Sequence, residues 1–198
     1  MPSPIAVSTV AAQAFRMLEL APISSFDDDS EQAASAAEQY PVALETCLEA
    51  ADWSFASTWA RLPQVVLPPD TPTDPGLPFL FALPGDVLRL RQVGDAATRW
   101  RRDREGLRAS HAGPLAVRYT ARLTVEALMP AGFRNAVALR LAVLLSARWL
   151  TTHSKRDMLA TDADRALKMA MRSDARQASD ARWDGLPDQG DWVAEARA

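Results

Sequence analysis

The stretch Leu77-Pro78-Phe79-Leu80-Phe81-Ala82-Leu83-Pro84-Gly85-Asp86-Val87-Leu88-Arg89-Leu90-Arg91 decides how the chain is divided. An aromatic run and an alternating apolar-basic run flank the turn tripeptide Pro84-Gly85-Asp86, and the second run has the period of a half-buried strand. Upstream, residues 61–85 hold seven of the 14 prolines and a single alanine, Ala82, which excludes a packed helix there. A loop of that length inside a compact domain is functional or disordered. Downstream, Arg99 to Arg102 and Gly106 to Ala109 are predicted to form a further strand pair, followed by Ala116 to Thr120. The middle of the chain is therefore expected to be a small antiparallel sheet.

Both flanks are helical. Ile5, Val10, Ala14, Met17 and Leu18 fall at helical spacing before Pro22. Asp27-Asp28-Asp29-Ser30 then offers N-cap side chains and negative charge to the exposed amides of a second helix. A Ca²⁺ loop would need alternating oxygen ligands, an internal glycine and a terminal glutamate, which this run lacks. The stripe from Ala33 through Ala36 or Ala37, Tyr40, Leu44, Cys47, Leu48 and Ala51 marks one helical face, with Pro41 expected to kink the helix or start its second half. The chain is expected to turn extended after Asp52. In the last third, Phe133, Val137, Leu141, Leu144, Leu145 and Leu150 predict a covered central helix, and Asp162 to Gln177 another. Residues 180–198 read as a polar tail without its own core.

Composition limits function. The chain has 198 residues, enough to bury a real core without metal or disulfide. Its single cysteine, Cys47, cannot make an internal bridge and is expected in the core. A net charge of −3 and a pI near 5.4 argue against a protein devoted to gripping phosphate backbones. Ile5 to Leu20 has no basic leader and is interrupted by Arg16 and Glu19, so neither a signal peptide nor a membrane span is expected. Only Lys155 and Lys168 among the 22 basic residues are lysines, a bias that fits a GC-rich genome.

No residue pattern supports a catalytic mechanism or a cofactor. His111 lies beside Gly113 and Pro114 in a predicted turn. His153 is expected to close a helix after Thr151-Thr152, where it would meet C-terminal carbonyls. Neither has a helical partner histidine, so no metal cluster is visible. Phosphate-binding glycine loops and a nucleophile elbow are absent from the sequence. Asp162 with Asp164, and Asp188 with Asp191, read as caps and solvated charges rather than acid-base pairs. The strongest charged constellation is Arg99-Trp100-Arg101-Arg102-Asp103-Arg104-Glu105 with Arg108. Arginine interleaved with an aromatic can meet nucleic acid, but Asp103 and Glu105 dilute the patch, which favours a solvated or subunit-contacting ribbon. Trp183 and Trp192 either fold back on the bundle or anchor the tail in a partner's groove.

The order of segments resembles a known family. Ala37-Glu38-Gln39-Tyr40-Pro41, Leu44, Leu48 and Trp53-Ser54-Phe55-Ala56 look like the opening of the tail tubular protein A family of short-tailed phages and related head-tail adaptors. The proline-rich loop leading to Phe79-Leu80-Phe81, the Pro84-Gly85-Asp86 turn and the Val87-Leu88-Arg89 strand continue the likeness. So do Leu115-Ala116-Val117-Arg118-Tyr119-Thr120, a short helix ending near Met129-Pro130, the apolar helix from Phe133, and a final helix carrying Ala166, Asp174 and Ala175. The likeness covers most of residues 5–178, and the tail after Ser179 departs from it.

The resemblance implies a mainly α fold, a helical bundle of residues 1–60 and 121–179 with a small antiparallel β-rich insertion at 61–120 and a tail at 180–198. It implies a homo-oligomeric ring of about twelve copies, closed by a heterologous contact, beneath the portal protein of a phage or gene transfer agent. The ring would be followed by a tail or stopper protein, with DNA passing through the lumen and assembly in the bacterial cytoplasm. Phe79, Phe81, Arg99, Trp100, Arg101, Arg102 and Arg104 are the candidate subunit contacts, and Trp183 and Trp192 the candidate portal contacts. The rival is a nucleic-acid-binding regulator using the arginine-rich ribbon. An enzyme whose site is assembled only in space ranks behind both.

Overall fold

The computed structural model describes residues 8–68 and 73–176. The tail with Trp183, Trp192, Asp188 and Asp191 lies outside the described residues. The chain forms two compact units, one from the segments before Ala56 and after Arg122, the other from Ala56–Arg122.

The helical unit begins with α1, Thr9–Met17, whose first turn is capped by Ser8: its Oγ accepts the Ala11 N–H at 3.0 Å. Helix α2, Glu31–Ala50, starts as the sequence predicts, with Ser30 Oγ accepting from the Ala33 N–H at 3.1 Å and Glu31 in the first turn. Pro41 lies inside α2, which runs on through it. Ala33, Ala36, Ala43, Leu44, Cys47 and Leu48 form its buried face. A single 3-10 turn, Glu126–Leu128, precedes α3, Ala131–Trp149, which packs against α1, α2 and α4. Small residues such as Ala136, Ala138 and Ala142 are fully buried in α3 and allow those close approaches.

Helix α4 spans His153–Ala175. It starts well before the predicted Asp162, so His153 opens α4 instead of closing the preceding helix. Thr151 and Thr152 are the break, and the polar Lys155-Arg156-Asp157 stretch that follows hid the first turns of α4 from an apolar-periodicity argument. Asp162 and Asp164 are consequently mid-helix and not caps. Asp164 accepts from Arg140 at 3.1 Å and Asp162 lies 3.7 Å from Arg165. Trp53, Phe55 and Phe133 close one end of the core, with ring centroids 4.9 to 5.6 Å apart. The buried Trp53 indole donates to the Cys47 carbonyl at 2.8 Å, which gives the ring the partner its N–H needs.

The second unit is all antiparallel. It holds β1 Ser57–Leu62, β2 Gln64–Val65, β3 Phe79–Phe81, β4 Val87–Val93, β5 Trp100–Arg102, β6 Leu107–Ala109 and β7 Leu115–Ala121. One sheet has the order β1-β7-β4 and the other β2-β3-β6-β5. Strands β3 and β4, on either side of Pro84-Gly85-Asp86, fall in different sheets. Asp86 fixes that crossover: its carbonyl accepts from the Arg122 N–H at 2.7 Å and its carboxylate accepts from the Tyr119 hydroxyl at 3.2 Å. Leu62, Phe81, Val93, Leu107, Leu115, Val117 and Tyr119 from both sheets share one apolar core.

The expectation of a mainly α bundle with a small β-rich insertion is corrected by this architecture. Among the described residues helix makes up 47% and strand 19%, a mixed α/β fold with four helices and two antiparallel sheets. The proline-rich segment concealed the difference. Strand β2, two residues long beside Pro63, carries too few positions to show an alternating pattern.

Candidate interaction ribbon

The arginine-rich constellation is a β-hairpin, β5 to β6, at the outer edge of the four-stranded sheet. Trp100 pairs with Ala109, Arg101 with Arg108 and Arg102 with Leu107. At its open end the Ser110 N–H donates to the Arg99 carbonyl at 2.9 Å, and the Arg99 N–H donates to Ser110 Oγ at 3.1 Å. At the tip, Asp103 Oδ1 accepts the N–H groups of Glu105 and Gly106 at 2.9 and 3.1 Å, the local turn that aspartate favours. Gly106 is required there, because a Cβ would sit 2.3 Å from the Phe81 carbonyl oxygen.

Arg108 organises the charge. Its residue is 7% exposed, its Nε donates to Asp103 Oδ2 at 2.7 Å and its Nη2 to Glu105 Oε2 at 2.5 Å. Burial pushes the Asp103 carboxyl up, but the hydrogen bonds from Arg108 and from the two turn N–H groups outweigh it and hold the carboxyl below its ordinary value. Two cross-strand arginines, Arg101 and Arg108, would repel if bare. The charge of Arg108 is balanced by its two carboxylates, although its buried Nη1 has no hydrogen-bond partner, and Arg101 stands 3.6 Å from Asp74 Oδ2. Asp103 and Glu105 therefore spend their charge on a buried guanidinium, Glu105 while staying exposed, and they dilute the outer arginines less than their place in the sequence implies.

What remains outside is basic and aromatic. Trp100, Arg101 and Arg102 are all exposed, Trp100 by 42%, and Arg99 and Arg104 are exposed beside them. Arg102 is partly tied down, with Nη1 donating to the Leu88 carbonyl at 3.0 Å. Phe79 is half-buried, while Phe81 is wholly inside the sheet core and supports the ribbon from behind. Of the sequence-derived candidates, the hairpin thus brings together Arg99, Trp100, Arg101, Arg102 and Arg104. Phe81 takes no part in the exposed surface.

Charge is unevenly spread along the chain. Residues 8–55 carry one arginine against nine carboxylates, whereas residues 56–122 carry ten arginines against six. The overall −3 conceals this separation.

Other features carry less chemistry. His111 Nδ1 lies 3.1 Å from Ser110 Oγ on an exposed bend. Among the described residues no group of three histidine, cysteine or acidic side chains is placed to hold a metal ion, and no helix is long and apolar enough to cross a membrane. A groove of about 470 Å³ between α3 and α4 is lined by Leu139, Ala166, Met169 and Ala170, with Asp162 and Arg165 at its edge. The site that sequence reasoning missed is Glu126. Its carboxylate accepts from Ser8 Oγ at 2.5 Å, from Thr9 Oγ1 at 2.9 Å, from the Thr9 N–H at 3.0 Å and from the Tyr40 hydroxyl at 2.9 Å. It is a second cap on α1 supplied from far along the chain, and no local motif marks it. No family model matches the chain, and a comparison with curated proteins finds no match.

Proposed function

We propose that this protein is a structural head-to-tail adaptor, one of about twelve copies in a ring between the portal protein and the tail of a phage or gene transfer agent, with closure fixing the copy number. It is not an enzyme. DNA passes through the lumen without sequence-specific binding, and the ring hands over to a tail or stopper protein. The particle's head-tail junction is its final location, after assembly in the bacterial cytoplasm.

The observation that carries this reading is the exposed ribbon Arg99–Arg104, rigidly built on a buried Arg108 and presenting an aromatic between arginines at a sheet edge. Exposed tryptophan and arginine are the residue types that dominate protein contacts. The order of sequence segments supplies the family context.

The test is a tagged pull-down from host cells that produce particles, followed by mass spectrometry and negative-stain microscopy. Recovery of portal and tail proteins with neck-like rings is expected. DNA or a small metabolic complex without particle proteins overturns the reading. In the same cells the charge reversal R101E/R102E is expected to lower infectious or transducing titre, and an unchanged titre counts against the ribbon. The rival regulator predicts retention on duplex DNA with a steep salt dependence, losing several decades of affinity over a few-fold rise in salt.

A further inference from the structure

A heterologous ring needs a donor patch and a different acceptor patch on every copy. The ribbon is the donor that the proposed function assumes, and the inference below rests on that reading. We infer that its acceptor is the outer face of α2 on a second copy of this chain.

Ala34, Ala37, Glu38, Pro41 and Val42 are all exposed, and their spacing in steps of three and four places them on one side of α2. Val42 is 50% exposed, an uncovered β-branched side chain in mid-helix. Pro41 has no N–H, so the carbonyl of Ala37 loses its usual helical donor on this same exposed face. Glu38 stands beside it. The face therefore offers an apolar strip of proline, valine and alanine, a carbonyl lacking its normal donor and a carboxylate.

The ribbon is its complement in each respect. Trp100 supplies the flat apolar surface for Pro41 and Val42. The neighbouring guanidiniums supply several N–H donors each for Glu38 and the Ala37 carbonyl. Charge runs the same way between the units, with 14 carboxylates to ten basic residues in residues 8–55 and 123–176 together and an arginine excess in residues 56–122. Opposite potentials of this kind steer association and fix its register. A duplex phosphate backbone would also attract the arginines, but it has no use for the α2 face.

The contact is tested by mixing two full-length variants, one with the donor spoiled (R101E/R102E) and one with the acceptor spoiled (E38A/V42A). Native mass spectrometry and light scattering at low salt follow their assembly. Wild type is expected to self-associate, and each variant alone to do so about tenfold or more weakly. Their equimolar mixture keeps one intact interface per pair and is expected to give heterodimers and nothing larger. Trp100→Ala, which leaves every charge in place, is a second donor variant in case the reversal perturbs folding, and circular dichroism checks all of them.

Variants that assemble like wild type, a mixture without heterodimers, or a wild type that stays monomeric at high micromolar concentration overturns the inference. So does a ribbon variant that loses retention on duplex DNA while self-associating normally. Portal and tail proteins recovered with a ring that survives both variants would leave the adaptor reading standing and remove this contact. Heterodimers without any particle proteins would do the reverse.

Discussion

Glu126 in the helical unit and Arg108 in the sheet unit both hold a charge away from bulk water, and they do it in opposite ways. Glu126 collects neutral donors from residues some 86 to 118 positions away: Ser8, Thr9 and Tyr40. Arg108 takes its carboxylates from three and five residues away, inside one hairpin. The helical unit therefore uses a polar cluster to join distant segments, tying the start of α1 to α2 and to the turn before α3. The sheet unit uses one to set the shape of a single ribbon. Loss of the first loosens packing between helices, whereas loss of the second misplaces a surface.

The apolar cores set the scale for both. Phe133→Ala in the helical unit and Phe81→Ala in the sheet unit each remove a fully buried ring and are expected to cost about 3–5 kcal/mol by urea denaturation. A polar substitution that costs more than these would reverse the ranking of core over network.

Next in size are the networks themselves. Glu126→Ala strands the Tyr40 hydroxyl and the first amides of α1, an expected loss of about 1–3 kcal/mol. Arg108→Ala is expected to cost less, because the Asp103 and Glu105 side chains it leaves behind are 27% and 58% exposed and can turn to water. If Arg108→Ala proves the more damaging, the ribbon is a stability element of the sheet unit and not only a shaped surface.

Acid sharpens the same contrast. Burial raises the Glu126 pKa, but hydrogen bonds from Ser8, Thr9, Tyr40 and the Val10 N–H more than offset it, so the folded value lies below the ordinary one. The stabilisation is therefore fully present above the unfolded pKa of about 4.3 and is lost as pH falls through the lower folded value. Denaturation midpoints measured from neutral to acid pH should show a shallower acid decline for Glu126→Gln than for wild type. An unchanged decline would mean that other carboxylates carry it.

The smallest effect is on reactivity. Cys47 is buried, and burial pushes its thiol up to about 11 against the opposing influence of Arg140. Disulfide reagents should label it only as fast as the helical unit opens. Rapid labelling of native protein would show that the α2–α3 packing is looser than the Glu126 tie implies.

Much of this organisation is legible in the residues. Ser30-Glu31 marks the start of α2 because the capping oxygen and the charge act within one turn. The ribbon is legible too, since an aspartate turn, a glycine and flanking arginines lie within eleven residues. The beginning of α4 was not, because its first turns are polar and exposed. Strand β3 was legible as the aromatic run Phe79-Leu80-Phe81, whereas β2, two residues long beside Pro63, was not.

By itself the sequence determined the local devices: caps, turns, the apolar faces of α2 and α3, the exclusion of helix from residues 61–85, and the presence of an arginine-tryptophan ribbon. Each depends on groups a few residues apart, where covalent connection already places them together. Only the tertiary structure decided that β3 and β4 join different sheets, that Asp103 and Glu105 turn to a buried Arg108, and that Glu126 caps α1 from the far end of the chain. Those outcomes depend on which distant donors and apolar faces meet, and spacing along the chain does not encode such meetings.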